Sequence, residues 1–123
     1  MIVGTGIDFV TVSRIAHWLE DDGLCRRFFH EKEMAEVRAR GAEAPRSLAA
    51  RFAAKEAFAK ALGTGFSGLA LKQIRVENER SGRPLLLVEG RARRSMEEIG
   101  ARRIHLSLTH EGDLAAAQVI LED

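Results

Sequence analysis

Strict alternation opens the chain. In MIVGTGIDFV, Ile2, Gly4, Gly6 and Asp8 fall on one side and Val3, Thr5, Ile7 and Phe9 on the other, which predicts a strand. The period then changes: TVSRIAHWLEDD puts Val12, Ile15, Trp18 and Leu19 on one helical stripe. FFHEKEMAEVRARG reads as a second amphipathic helix, ending at Gly41. Pro45 marks the approach to a third, alanine-rich helix around RFAAKEAFAKALGTG. After Gly68, LKQIRVENE and LLLVEG form the arms of a β-hairpin, with Ser81, Gly82 and Pro84 as turn residues. RARRSMEEIG is a short helix, and RIHLSLTH, EGD and LAAAQVILE make a second hairpin. The order β-α-α-α-β-β-α-β-β predicts an α+β fold, one antiparallel sheet packed with helices. No repeat, low-complexity tract or linker interrupts it, so residues 1–123 read as a single domain.

Composition narrows the function classes. The chain has 123 residues, 46% hydrophobic and 30% charged, with a net charge of +1, so no global field draws it to nucleic acid. Tyr is absent and aromatics make up 6%, which leaves little for base stacking. No apolar run reaches membrane-spanning length, and the first ten residues lack the basic segment and cleavage site of a signal peptide. The one cysteine, Cys25, excludes an internal disulfide and suits a reducing cytoplasm. It reads as structural despite its neighbours Arg26 and Arg27.

The third helix carries charge where a buried helix should not. On a 3.6-residue wheel Leu48, Phe52, Ala59 and Leu62 define an apolar face that includes Lys55, with Arg51 beside it. Glu56 and Lys60 lie among Ala49, Ala53 and Ala57. Buried charge is costly unless paired. Either these side chains reach past the apolar surface to water, or an anion sits against Arg51, Lys55 and Lys60 while Glu56 holds a cation. The second reading implies cations left uncompensated until a ligand arrives. Gly63 and Gly65 follow in a turn where backbone can approach a ligand. Two further patches fit. His105, Ser107 and Thr109 form a polar row on one face of a strand, suited to phosphate oxygens. Asp8 shares a face with Gly4 and Gly6, which leaves room for another chain or a ligand near its carboxylate.

GTGIDFVTVSRI, RFAAKEAFAKALGTG, SGRP and HLSLTHEGDLAAAQVILE together resemble the holo-acyl-carrier-protein synthases, the small bacterial 4'-phosphopantetheinyl transferases, in family order along nearly the whole chain. The resemblance implies that family's α+β fold and a homotrimer. It implies transfer of the phosphopantetheine arm of coenzyme A to a serine of an acidic apo-acyl carrier protein, with Mg²⁺ as cofactor. By motif, Asp8 and Glu56 resemble the metal-binding carboxylates and Lys60 the catalytic lysine. Arg51, Lys55, Lys60, Gly63, Gly65, His105, Ser107 and Thr109 fall where the family binds coenzyme A. Arg14 resembles a carrier-docking residue, with Arg26 and Arg27 following it. Whether Glu56 or a water takes the serine proton stays open. One departure is Gln73, where members often carry an acidic residue. Two other readings share these residues: a Mg²⁺-dependent pyrophosphohydrolase and a non-catalytic nucleotide-binding module.

Overall fold

The computed structural model describes residues 1–66 and 68–123. Strand β1 (Ile2–Thr11) runs directly into a one-turn helix α1 (Val12–Ile15), a 3-10 turn (Ala16–Glu20), α2 (Asp22–Phe28) and α3 (Glu31–Arg38). The long helix α4 (Ala44–Leu62) follows, then β2 (Ile74–Asn78), β3 (Pro84–Val88), α5 (Gly90–Glu98), β4 (Arg103–Glu111) and β5 (Leu114–Glu122). The α+β expectation with antiparallel strands holds, but the strands divide into two sheets. β1, β5 and β4 form one in that order, while β2 and β3 pair as a separate hairpin.

The helical segment before α4 also differs from its sequence reading. Asp21 and Asp22, read as the tail of the first helix, begin another: the Asp21 carboxylate accepts from Leu24 N at 3.0 Å as an N-cap. Phe28 closes that helix and Phe29 is extended, so neither opens the next. His30 caps α3, and Glu33 accepts from the His30 N–H at 3.0 Å. α3 stops at Arg38, and Gly41 begins a 3-10 turn instead of ending the helix. Pro84 is the first residue of β3, just past the turn. Gln73 accepts from Arg91 N at 3.3 Å, a contact at the start of α5 remote from the candidate site.

Helix α4 is the centre of the molecule. The sheet covers one side of it, and α3 with the β2–β3 hairpin covers the other, leaving Leu48, Ala53, Ala54, Ala57 and Phe58 without exposure. Its contact with β1 is unusually close. A methyl group on Gly6 would lie 1.9 Å from the Ala57 carbonyl oxygen, and one on Gly4 2.2 Å from that of Ala61. The glycine face that the sequence left open to another chain or a ligand is therefore filled by α4 of the same chain.

The other face of the sheet is largely exposed among the described residues. Register puts Phe9, Ala116 and Thr109 in one row, Ile7, Gln118 and Ser107 in the next, and Thr5, Ile120 and His105 in a third. There Phe9 is 64% exposed and Ile7 55%. Among the described residues no helix is long and apolar enough to cross a membrane.

Candidate active site

Asp8 lies on the inner face of β1, opposite Ala117 and under α4. Glu56 and Lys60, one turn apart, meet it from the helix. Lys60 Nζ donates to Asp8 Oδ1 at 2.7 Å and to the Ile7 carbonyl at 3.3 Å. Asp8 Oδ2 is buried and receives no hydrogen bond from the described residues. The Glu56 carboxyl is pushed up to about 7, first by burial and then by the Asp8 carboxylate, against the opposing pull of Lys60 and Arg14. Lys60 is raised by its bond to Asp8. Lys60 pairs with Asp8, Glu56 makes no ion pair with the described residues, and one buried oxygen has no donor among them. The centre is short of positive charge.

Arg51 and Lys55, the two buried cations of α4, turn away from it. Arg51 pairs with Glu36, and Lys55 Nζ lies 2.7 Å from Glu33 Oε1, so cations four apart on α4 meet carboxylates three apart on α3. Lys55 is wholly buried and also donates to the carbonyls of Leu71, at 3.0 Å, and Ile74. Burial pushes its ammonium below its ordinary value, and Glu33 opposes that shift. Glu33, equally buried, accepts in addition from Val76 N at 3.0 Å. All three ammonium protons of Lys55 are engaged within the chain, by Glu33 and by the carbonyls of Leu71 and Ile74. The cations are thus not uncompensated without a ligand: each already faces a carboxylate.

Arg51 keeps a ligand-facing role open. It is buried, donates to Ser47 Oγ, and has an Nε with no partner among the described residues. It lines a cavity of about 270 Å³ together with Arg40, Arg46, Asn78, Thr109 and His110. Thr109 is therefore brought to Arg51, whereas His105 and Ser107 stand farther along the outer sheet face. His105 Nε2 lies 2.9 Å from Glu122 Oε1. That face is turned away from Asp8, so one chain does not unite the whole polar row with the carboxylates. Gly63 and Gly65 have positive φ angles of 82° and 64°, with open space beside each. Arg14 on α1 and Arg26 and Arg27 in the last turn of α2 are exposed.

Several residues were missed by the sequence reading: Glu33, Glu36, Arg40, Arg46 and His110. Ser47, four residues before Arg51, was visible in the helical spacing; the others depend on which helix packs where. A larger cleft, about 580 Å³, opens between α2, α3 and the turn before β2, over Cys25, Phe29 and Met34. It gathers as many carboxylates as lysines and arginines, and Arg38 is already paired with Asp22, so it offers no net attraction for phosphate. The Cys25 thiol donates to the Trp18 carbonyl, and burial pushes its pKa up, which suits a structural side chain.

The profile of a family described as the 4'-phosphopantetheinyl transferase superfamily matches residues 4–119. Over 122 residues the chain is 53% identical to the holo-[acyl-carrier-protein] synthase of Treponema denticola, covering 99% of each. Its fold superposes on that of the holo-[acyl-carrier-protein] synthase of Neisseria meningitidis with a TM-score of 0.88, at 35% identity over 100% of both chains. The Bacillus anthracis enzyme in complex with CoA (3',5'-ADP) gives a TM-score of 0.80 at 35% identity, covering 98% of this chain and 96% of that one. Sequence along the full length, the fold around α4 and the comparison with these enzymes agree: the chain belongs to the 4'-phosphopantetheinyl transferase superfamily.

Proposed function

We propose that the protein transfers the 4'-phosphopantetheine group of coenzyme A to a serine of apo-acyl carrier protein, releasing adenosine 3',5'-bisphosphate. The observation that carries this reading is the charge-deficient centre: Asp8 with a donorless buried oxygen, Glu56 against it, and Lys60 alongside. Such a donor set fits Mg²⁺, which takes oxygen ligands and needs only one or two carboxylates besides phosphate. Asp8 and Glu56 would hold it, and when bound it would neutralise pyrophosphate charge.

The chain's own groups divide the remaining work. Glu56, which meets Asp8 from α4, is the chain's candidate acceptor of the serine proton, directly or through a water. Lys60, 55% exposed, can swing its ammonium towards the phosphate as charge develops on the leaving oxygen. Arg51 and Thr109, with Arg40 and Arg46, offer donors to the nucleotide phosphates. Lys60→Ala should therefore lower turnover more than it weakens coenzyme A binding, as separate kcat and KM measurements would read. A raised KM with unchanged kcat would reduce Lys60 to a binding residue.

Mass spectrometry of an apo-carrier protein incubated with this protein, coenzyme A and Mg²⁺ tests the reaction itself. A phosphopantetheine adduct on serine supports transfer. Adenosine bisphosphate released without any carrier would mark a pyrophosphohydrolase, and binding without turnover a nucleotide-binding module.

The whole chain, residues 1–123, acts in this reading as one transferase domain of the cytoplasm. Its bare outer sheet face, with Phe9 and Ile7 exposed, supports a homotrimer in which neighbours cover one another. His105 and Ser107 would then serve the carboxylates of the next subunit. Mixing Glu56→Gln with His105→Ala chains, each impaired alone, should restore part of the activity in mixed trimers. A monomer by light scattering, or no rescue in proven mixed trimers, rules out the shared site. The acidic carrier protein docks through Arg14, with Arg26 and Arg27 extending the basic surface.

A further inference from the structure

Helix α1 is a single turn, and its nominal cap, Thr11, makes no side-chain bond to it. A helix this short does not hold itself together, and its first N–H groups have no partner within the helix. Both are taken by one residue from the far end of the chain. The Asp113 carbonyl accepts from Val12 N at 2.7 Å, and Asp113 Oδ1 accepts from Ser13 N at 3.0 Å. Asp113 Oδ2 accepts from the Ser13 hydroxyl as well. Asp113 stands in the turn between β4 and β5, 100 positions from Ser13. Ile15 is the only buried residue of α1, so the helix is fixed by Ile15 at one end and Asp113 at the other.

What α1 presents is Arg14, exposed, on a helix packed against α4, which carries Glu56 and Lys60. β1 delivers both: Asp8 is followed within the same strand by Thr11, and α1 begins at the next residue. The turn that caps α1 also ends β4, the strand whose Thr109 and His110 line the cavity with Arg51.

We propose that Asp113 is a positioning residue for the carrier protein, capping α1 so that Arg14 is held at the rim of the Asp8–Glu56–Lys60 centre and the incoming serine is aimed at it. This rests on the docking role proposed for Arg14, so the test carries both variants. Asp113→Ala, Asp113→Asn and Arg14→Glu are compared by steady-state kinetics with carrier protein and coenzyme A varied in turn. Asp113→Ala should raise the carrier KM about five- to tenfold, the scale of a lost helix cap, and leave the coenzyme A KM near that of the parent. Asp113→Asn, whose amide oxygen still accepts from Ser13 N, should recover most of the loss. Hydrogen exchange of the Val12–Ile15 amides should quicken in Asp113→Ala and not in Asp113→Asn. An unchanged carrier KM in Asp113→Ala beside a raised one in Arg14→Glu overturns the inference and leaves the docking reading standing. An equal rise in both KM values overturns it too, as general damage to the fold. Should Arg14→Glu leave the carrier KM unmoved, the docking reading falls and the inference with it.

Discussion

Glu56→Gln is expected to reduce transfer about 100-fold or more, the scale of a lost general base, while the metal-free protein becomes more stable above pH 7. The substitution keeps size and helix propensity close to the original, so α4 should stay in place. It removes a proton acceptor and one of the two carboxylates that make the centre short of positive charge. The stability sign follows from the raised pKa. The fold moves Glu56 from 4.5 to about 7, so it favours the protonated form. That preference costs stability progressively as pH rises from about 4.5 through about 7, and the cost persists above. Glutamine stays neutral and escapes it. Thermal melts of the two proteins without metal should agree at low pH and separate in favour of the variant at pH 8. Added Mg²⁺ should narrow the gap by stabilising the parent. Near-parent turnover at saturating Mg²⁺ would make Glu56 structural and remove the basis of the proposed chemistry.

Lys55→Met should have the largest effect on folding. Removing one partner of a buried ion pair typically costs about 3–5 kcal/mol, because the other charge stays buried. Here the Glu33 carboxylate would lose its cation inside the core, and the carbonyls of Leu71 and Ile74 would lose a donor. A fall in Tm on the order of 10 °C follows for a chain this size. Adding Glu33→Gln should restore part of it, since a neutral amide still accepts from Val76 N while the stranded charge disappears. The carbonyls remain unpaired, so recovery should be incomplete. A stable Lys55→Met protein with a raised coenzyme A KM would return Lys55 to the ligand and defeat the structural account.

Much of the fold was legible because local pattern and tertiary role agreed. β1, the two hairpins and α4 follow their periodicities with ends displaced by a few residues. The helices before α4 were misread at Asp21 and Phe28 because acidic residues serve a helix start as readily as they follow a helix end. The division of strands into two sheets was not legible, since periodicity says which face a residue occupies and not which strand lies beside it. At the site, the charge pattern of α4 pointed to Glu56 and Lys60 and the glycine face to Asp8, the family resemblance supplied their roles, and the fold brings them together. Lys55 shows where sequence reasoning stops, for a physical reason. A cation on an apolar helix face requires a partner, and the sequence does not say whether that partner is a ligand or Glu33, 22 residues earlier. The two roles look alike until α3 is placed against α4.

The glycine contact between β1 and α4 bears on how the enzyme can change. Across most helix–sheet interfaces a layer of side chains sets the spacing, and each replacement there shifts it by a fraction of an ångström. Under Ala57 and Ala61 there is no such layer, only main chain against main chain at Gly4 and Gly6. The gap that Asp8 spans to reach Lys60 is thus a property of two backbones. Drift elsewhere in the core can alter how firmly the chain folds while the reacting groups keep their separation, and no gradual series of side chains at Gly6 leads to a wider or narrower site.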